Sequence, residues 1–379
     1  MSSKFKLNWE NYFIRRGGEC KKFWKMYLEQ RTETNNILFI LGIGFDPRID
    51  MGLKTIIDAG AENISCLAIR IDEGPDSPTK EYTELVEENY KKIEELVGSK
   101  NIRDKLIKMF DKYKRRIGPR ELVGLLRGEN LTGYPDLIID VSALPRCIFF
   151  TMITELLKSL SNSDNLKNKN KNLHVLVAEN PELDKKIKQD VPDEEPYSLP
   201  GFGKDISRTS TENIPKVWIP ILGEGKNYHL KRIYESIKPE EVCPMLPFPA
   251  KNPRRCDDLI KEYYEFLFDG IQVEPKNFIY AAEDNPFDVY RQIVYTAIRY
   301  NNSLKSLGGC ITVISPLSSK IMTIGAAIGA YELRKNALQV GVLHLDALGY
   351  SITDDIGNLK KIAKKSELFS IWLSGDCYG

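Results

Sequence analysis

The stretch "NILFILGIGFDPR" (36–48) places a Gly-x-Gly directly after an apolar run of strand length. A second stretch, "VWIPILGEGKNYH" (217–229), repeats this arrangement roughly halfway along the chain. Glycine lets backbone N–H groups approach a phosphate closely, and a helix that starts after such a loop adds its partial positive charge. The chain therefore carries the same candidate phosphate-binding loop twice, which points to an internal duplication.

The segments around the two loops recur in the same order. Each loop is followed by a helical pattern and a second apolar segment, at 64–71 and 242–248, as in a β-α-β unit. Further on, "PDLIIDVSALPR" (135–146) matches "GCITVISPLSSK" (309–320), and a helix and another strand follow each. These patterns predict an α/β fold of two tandem Rossmann-like units, with mainly parallel sheets and helical insertions, related by a pseudo-two-fold axis.

The order of the patterns also predicts the domain boundaries. Residues 1–36 form an N-terminal helical segment, and 37–180 form the first Rossmann-like domain, with a charged helical insertion at 75–130. The stretch 181–214, rich in charge, Pro, Gly and Ser, is expected to be a linker. The second Rossmann-like domain then spans 215–379, with a helical insertion at 250–306.

Composition excludes several classes of protein. With 54 basic and 53 acidic residues the net charge is +1, so overall charge does not indicate binding to nucleic acid or a membrane. The longest apolar run, 37–45, is far shorter than the roughly 20 residues of a membrane helix, and we expect a cytoplasmic protein. Three scattered histidines and seven scattered cysteines predict no transition-metal site and no disulfide framework, whereas magnesium held by carboxylates stays open.

The loops that follow the strands contain the candidate ligand-binding residues. In a doubly wound sheet, ligands bind outside the carboxyl ends of the strands. The glycines of both loops and the cations beside them are candidates for phosphate binding: Gly42, Gly44, Arg48, Gly223, Gly225 and Lys226. The third glycine of the dinucleotide fingerprint is missing in both copies, so we predict no NAD site, and any other cofactor is unknown.

The later turns, "DVSALPR" (140–146) and "ISPLSSK" (314–320), combine hydroxyl groups with one cation at a helix start. Hydroxyl groups, exposed N–H groups and a cation suit an oxyanion. The turns add these candidates for phosphate binding: Ser142, Arg146, Ser315, Ser318, Ser319 and Lys320. The alternative is that these serines only cap helices, which is their commonest role.

Two carboxylates distinguish the first half from the second. Asp46 follows the first Gly-x-Gly, and Asp140 ends the strand before Ser142, while the corresponding positions of the second half carry no carboxylate. If the protein is an enzyme, Asp46 and Asp140 are the candidates for general acid and base. Alternatively, the N–H groups of its own turn could satisfy Asp140.

The second half resembles the CARF domain family, the Rossmann-like sensors of cyclic oligoadenylates in prokaryotic antiviral systems. "VWIPILGEG" (217–225) stands for the opening strand and loop of that family. "VISPLSSKIM" (313–322) stands for its later strand and Thr-Gly-Gly-Thr-Lys-x-Met turn, with Lys320 and Met322 in the matching places and Ser-Pro-Leu-Ser-Ser replacing the Thr-Gly-Gly-Thr run. The resemblance covers 215–347, and a degenerate copy covers 37–179.

The resemblance implies a site made by paired domains. CARF domains pair about a two-fold axis, and the ligand lies across the paired loops. Two such units in one chain would form one composite pocket lined by Arg146 and Lys320, or two separate sites if the units faced opposite ways. No Arg-x4-6-His motif of a HEPN ribonuclease occurs, so any effector is expected to be a separate protein.

Three functions are consistent with these patterns. The first is a sensor or regulatory protein that binds a nucleotide, a cyclic oligonucleotide or another phosphorylated ligand. It would act within a prokaryotic defence system, as a monomer or as an oligomer. The second is an enzyme acting on a nucleotide or phosphosugar, with its active site in the first domain. The third is a scaffold that presents its charged helical segments to partner proteins.

Overall fold

The computed structural model describes residues 7–31, 36–161, 171–189, 192–204, 206 and 213–378. The chain divides into two compact units. The first unit consists of Tyr12–Val191 and Ala347–Gly379, and the second unit consists of Met1–Asn11 and Pro192–Asp346. Parts of the predicted N-terminal segment (1–6 and 32–35), of the first domain (162–170) and of the linker (190–191, 205 and 207–212) lie outside the described residues.

The strands are, in chain order, β1 Phe13–Arg16, β2 Asn36–Ile43, β3 Asn63–Asp72, β4 Ile102–Lys108, β5 Asp136–Asp140, β6 Asn172–Glu179, β7 Ile187–Gln189, β8 Tyr197–Ser198, β9 Lys216–Ile221, β10 Glu241–Val242, β11 Met245–Pro247, β12 Ile279–Ala281, β13 Ile311–Pro316, β14 Val340–His344, β15 Tyr350–Ile352 and β16 Glu367–Ser374.

The α-helices are α1 Gly18–Glu29, α2 Met51–Asp58, α3 Thr83–Val97, α4 Gly118–Gly128, α5 Arg146–Ser161, α6 Pro181–Asp184, α7 Asn227–Ile237, α8 Arg255–Glu262, α9 Pro286–Ser303, α10 Lys320–Lys335 and α11 Ile356–Ala363. A π-helical turn, Glu265–Gly270, follows α8. Short 3₁₀ segments lie at Pro78–Tyr82, Ser99–Asn101, Pro275–Asn277, Lys305–Leu307 and Asp376–Tyr378.

The first unit is built on a seven-stranded sheet of order β1-β16-β6-β5-β2-β3-β4. The strands β2 to β6 are parallel. Beyond β6, β16 pairs antiparallel with β6, and β1 pairs antiparallel with β16 at the edge of the sheet. Helices α2 and α3 contribute to one hydrophobic core, while α4 and α5 pack against each other. Numbered along the chain, the parallel strands lie in the order 3-2-1-4-5, which is a Rossmann-like arrangement.

The second unit has the same order. Its sheet runs β12-β11-β9-β13-β14-β8, with β9, β11, β12, β13 and β14 parallel and β8 antiparallel at the edge. Helices α7 and α8 share one core, and α9 packs against α10. The predicted α/β class with two Rossmann-like units is therefore confirmed, because both sheets show the 3-2-1-4-5 order in their parallel strands.

The apolar runs that predicted the central strands do form them. Strand β2 is buried from its second residue to its last, as expected for a parallel strand covered on both faces. Strand β9 behaves in the same way after its first residue. The weaker stretch 242–248, interrupted by prolines, forms the short strands β10 and β11. The hydrophobic pattern therefore located the centre of both sheets.

The predicted helical insertions are corrected by the structure. Segment 75–130 contains β4, which pairs with β3 in parallel, and segment 250–306 contains β12, which pairs with β11. Each segment contains the third strand of its parallel sheet, with one helix before it and one after it. Strand β4 lies at an edge and has exposed charged residues, and β12 has three residues, so neither shows the apolar run of a central strand.

The division into units also differs from the predicted domains. Residues 347–379 belong to the first unit because β16 pairs with β6 along almost its whole length. Residues 7–11 belong to the second unit, where Trp9 contacts Tyr290 with ring centroids 5.2 Å apart. In the predicted linker, β7 pairs with β15 in the first unit and β8 pairs with β14 in the second.

His174 on β6 is a buried titratable group in the first unit. Its ring lies among aromatic side chains, with centroids 4.8 Å from those of Trp24 and Trp372, and 5.3 Å from that of Tyr27. Within the described residues neither ring nitrogen has a hydrogen-bond partner. Burial, and secondarily the charge of Arg31, hold the pKa of His174 well below its ordinary value of 6.5.

We expect the first unit to lose stability below pH 6.5 because of His174. Below pH 6.5 the histidine of the unfolded chain binds a proton, whereas the buried ring of the native protein stays neutral. The contribution of His174 to stability is therefore fully present above pH 6.5 and is lost as the pH falls below that value. At pH 5.5 the loss is about 1.4 kcal/mol. Replacing His174→Phe should reduce the acid sensitivity of Tm, measured by calorimetry between pH 5 and 8. Parallel pH profiles for the variant and the wild type would contradict this assignment.

Candidate functional site

Each sheet has one point where the strand order reverses, and the predicted site loops lie there. In the first unit the point is between β2 and β5, which pair in parallel. In the second unit it is between β9 and β13. The loops that leave neighbouring strands at such a point run to helices on opposite faces, which opens a crevice at the carboxyl edge. Both candidate loops of each half are thus brought together within their own unit.

The first glycine of each Gly-x-Gly allows the two loops of a unit to touch. A Cβ at Gly42 would lie 2.6 Å from Cδ2 of Leu144 and 3.0 Å from the carbonyl oxygen of Ala143. A Cβ at Gly223 would overlap the carbonyl oxygen of Leu317 and lie 2.8 Å from Cα of Ser318. The repeated glycine is therefore required for loop packing, independently of any phosphate.

The second glycine of each pair has a different environment. A Cβ at Gly44 would meet nothing closer than the carbonyl oxygen of Ala143 at 3.8 Å. Gly225 has open space around it but a φ of +72°, a conformation that favours glycine. Its N–H donates to the Glu262 carboxylate at 2.7 Å. The two copies of the loop therefore differ in backbone conformation as well as in sequence.

Asp46 and Arg48 form a buried ion pair in the first unit. The Nε and Nη2 atoms of Arg48 donate to the two oxygens of Asp46 at 3.0 and 2.7 Å. Arg48 also donates to the carbonyl oxygen of Ala178 at 3.1 Å and pairs with Asp184 at 2.9 Å. Both side chains are buried. The pair ties the loop after β2 to the end of β6 and to α6.

The same contacts decide the charge state of Arg48. Burial acts to lower the pKa of its guanidinium, but the carboxylates of Asp46 and Asp184 outweigh it, and the pKa lies above its ordinary value. Arg48 is therefore a permanent cation whose donors are used inside the protein. The predicted roles of Arg48 in phosphate binding and of Asp46 in acid-base chemistry receive no support from this geometry.

Asp140 and Ser142 join the loop after β5 to its neighbours. The Asp140 carboxylate accepts the N–H of Ser142 at 2.9 Å, as the alternative interpretation of this residue proposed. A Cβ at Gly52, in the first turn of α2, would overlap that carboxylate. The Ser142 hydroxyl accepts the N–H of Ala178, on β6, at 2.9 Å. Arg146, half-buried, is the first residue of α5.

The serines of the second unit have three different environments. Ser315 lies within β13, not in the turn, and its buried hydroxyl accepts the indole N–H of Trp218 at 3.0 Å. The Ser318 hydroxyl donates to the sulfur of Met322 at 3.2 Å. Ser319 is the N-cap of α10, where its oxygen accepts the N–H of Met322 at 3.3 Å. Of the three, Ser319 is the half-exposed one, beside Lys320.

Two lysines mark the helix starts at the second switch point. Lys226 is the N-cap residue of α7, and Lys320 is the first residue of α10. The backbone N–H of Lys226 donates to the Tyr263 hydroxyl at 2.9 Å, and that hydroxyl donates to the carbonyl oxygen of Gly223. Tyr263 therefore holds both ends of the loop 223–226 through its hydroxyl. Burial raises the pKa of this hydroxyl.

Arg255 was not a candidate in the sequence, but it connects three loops at this edge. Its Nε and Nη2 donate to both oxygens of Glu224 at 2.7 and 2.8 Å, and its Nη1 pairs with Glu283. Glu224 follows β9, Arg255 starts α8 after β11, and Glu283 follows β12. No local pattern signals this contact, since the three residues come together only through the order of the strands.

The described residues contain no group of three or more His, Cys, Asp or Glu side chains that could hold a metal ion. Over the same ranges, every helix is too short or too polar to cross a membrane.

Comparisons with known proteins do not show a family for this chain. No protein-family model and no curated protein matches the chain. Among solved structures, the chain is similar to a functionally unknown protein from Pseudomonas aeruginosa PAO1, at 11% identity, covering 86% of this chain and 97% of that chain with a TM-score of 0.20. It is also similar to a universal stress protein from Archaeoglobus fulgidus DSM 4304, at 12% identity, covering 80% and 95% with a TM-score of 0.22. TM-scores this low carry no inference about function.

Proposed function

We propose that this chain is a sensor or regulatory protein that binds a nucleotide or another phosphorylated ligand at the carboxyl edge of its second unit. The observation that carries the proposal is the approach of two turns at the second switch point. Gly223 contacts the turn Leu317–Ser318, so that the starts of α7 and α10 lie at the same point of the sheet edge, with Lys226 and Lys320 beside them.

The chemistry of this edge suits a phosphate. A helix N-terminus carries partial positive charge, and two helices, α7 and α10, start at this edge. Lys320 adds a full positive charge next to the Ser319 cap of α10. Phosphate groups bind well where charge-assisted hydrogen bonds and helix N-termini coincide. The Ser-Ser-Lys stretch (318–320) lies between strand β13 and helix α10. The resemblance to CARF domains implies the same position for it.

We favour binding over catalysis as the role of this fold. In the first unit Asp46 neutralises a buried guanidinium, and Asp140 accepts a hydrogen bond from its own turn. A general base needs a lone pair directed at the substrate, whereas these carboxylates are used to hold loops. By its CARF resemblance, we further propose that the ligand is a cyclic oligonucleotide of an antiviral system and that a separate protein acts as effector.

We expect Lys320→Ala to weaken ligand binding about tenfold or more. A lysine that pairs with a phosphate contributes on the order of 1.5–3 kcal/mol. Calorimetric titration with mononucleotides, dinucleotides and cyclic oligoadenylates would identify the ligand class. Saturating ligand should also raise Tm, since it stabilises only the folded state.

The matched control is Lys231→Ala, an exposed lysine on α7. It removes the same charge from the same unit away from the helix start, so its affinity should equal that of the wild type. Equal weakening by both variants would indicate a general effect of charge and would contradict a site at Lys320. Absence of binding across the whole panel would overturn the proposed function itself.

A further inference from the structure

The segment 105–120, "KLIKMFDKYKRRIGPR", has a charge unlike that of the whole chain. Seven of its residues are Lys or Arg and one, Asp111, is acidic, whereas basic and acidic residues nearly balance overall. It spans the end of β4, a connecting loop and the start of α4. We call residues 109–117 the basic hairpin. A local concentration of basic residues of this size is typical of surfaces that bind polyanions.

The basic hairpin is held in one conformation by Asp111. The Asp111 carboxylate accepts the N–H groups of Tyr113 and Arg115 at 2.8 and 2.9 Å, and the Nε of Arg115 at 2.7 Å. The backbone N–H of Asp111 donates to the carbonyl oxygen of Arg115, and Lys114 has a φ of +59°. The tip is thus formed before any partner binds, which lowers the entropic cost of binding.

The base of the basic hairpin is anchored to the first unit. Phe110 and Arg116 form an antiparallel bridge, and the guanidinium of Arg116 lies 4.6 Å from the centre of the Phe110 ring. Arg116 also donates to the carbonyl oxygen of Ala347 at 2.7 Å. The hairpin leaves the carboxyl end of β4, so it lies at the same edge of the sheet as the switch-point loops.

The tip presents an aromatic ring between cations. Tyr113 is 65% exposed, which is unusual for so large a side chain. The Lys112 ammonium lies 4.9 Å and the Arg115 guanidinium 5.2 Å from the centre of its ring. Lys112 and Lys114 are exposed, and neither pairs with a carboxylate of any described residue. The exposed ring and the two lysine charges are therefore accessible to a binding partner.

We infer that the basic hairpin binds single-stranded nucleic acid, with Lys112 and Lys114 on phosphates and Tyr113 stacked on a base. An exposed ring flanked by cations is the arrangement on which unpaired bases stack, and the adjacent charges follow the backbone. A duplex offers no unstacked base to Tyr113, which is why a single strand is favoured. This inference goes beyond the proposed function and does not depend on it, because the hairpin belongs to the first unit.

Fluorescence anisotropy with labelled oligothymidylate and oligouridylate tests the inference. Tyr113→Ala should weaken binding about tenfold, because base stacking on an aromatic residue is worth on the order of 1–3 kcal/mol. The double change Lys112→Glu and Lys114→Glu should weaken it further and reduce the salt dependence of binding, since fewer counterions are released. All three residues are exposed, so Tm should not change.

The matched control is the double change Lys54→Glu and Lys91→Glu, two exposed lysines of the first unit on α2 and α3. It alters net charge equally, and binding close to wild type supports the hairpin as the site. Binding that is absent, or weakened equally by control and hairpin variants, overturns the inference. Tighter binding to duplex DNA, polyglutamate or anionic lipid vesicles than to the single strand overturns it too, in favour of that partner.

Discussion

Replacing Arg48→Met is expected to destabilise the first unit by about 3 kcal/mol. Most of this loss comes from the Asp46 carboxylate, which stays buried without its cation. Asp46 is 8% exposed and accepts two hydrogen bonds from the guanidinium. Removing one partner of a buried ion pair leaves an uncompensated charge, which typically costs 3–5 kcal/mol. The change also removes the contacts of Arg48 to Ala178 and Asp184, which tie β6 and α6 to the loop.

Calorimetry checks this expectation. For a unit of this size, a loss of about 3 kcal/mol lowers Tm by roughly 6–12 °C. The double variant Asp46→Asn with Arg48→Met removes both charges and should recover part of the loss, because no buried charge is left unpaired. Arg48→Lys keeps the charge without the two-pronged geometry and should be intermediate. A single variant as stable as the wild type would show that the pair contributes nothing to the fold.

The same variants separate a structural role from a ligand-binding role. If Arg48 contacted a phosphate, its removal would abolish the stabilisation by ligand. We expect instead that ligand still raises Tm of Arg48→Met, because the proposed site lies in the second unit. Loss of ligand binding in the Arg48 variants, with binding intact in Lys320→Ala, would move the site to the first unit and restore the sequence-based hypothesis for Arg48.

The centre of each sheet could be predicted from the sequence because buried parallel strands are apolar along their whole length. Strands β2 and β9 are of this kind after their first residues, and the similarity between the loops that follow them indicated the duplication. Strands β4 and β12 escaped prediction because one is exposed and charged and the other is very short. Their neighbours along the chain were therefore mistaken for helical insertions.

Contacts between segments that are distant in the sequence could not be predicted from local sequence patterns. The tail strand β16 pairs with β6, from which it is separated by the whole second unit in sequence. The tail has the apolar composition of a strand, but composition does not predict which strand it pairs with. The same holds for Arg255, whose two carboxylate partners lie on other loops. Topology, and not residue type, brings these groups together.

For the candidate site residues, the sequence predicted where they lie in the fold better than what their side chains do. The glycines, serines and cations do lie at the switch points, but several of them are used for packing. Ser315 illustrates the reason, since β13 extends to Pro316 and alternation along it places Ser315 on the same face as Val313, in the core with Trp218. The two ends of the turn "SPLSSK" thus serve different purposes, and Ser319 and Lys320 are the part that faces the edge.

Replacing Gly223→Ala is expected to disturb both the stability of the second unit and its ligand site. The added Cβ would meet backbone atoms, the carbonyl oxygen of Leu317 and Cα of Ser318, which cannot rotate away as a side chain can. The turn before α10 must move, and overpacking of this kind costs on the order of 1–3 kcal/mol. Because Ser319 and Lys320 follow directly, we expect ligand affinity to fall at least tenfold along with Tm.

Two other glycines serve as graded controls. At Gly42 the nearest atoms to an added Cβ belong to the Leu144 side chain, which can adjust, so Gly42→Ala should cost less than Gly223→Ala. At Gly44 the nearest atom is 3.8 Å away, so Gly44→Ala should leave Tm almost unchanged. Neither should alter ligand binding, since both lie in the first unit. If Gly223→Ala matched Gly44→Ala in Tm and in affinity, the close approach of the two turns would not be what forms the site.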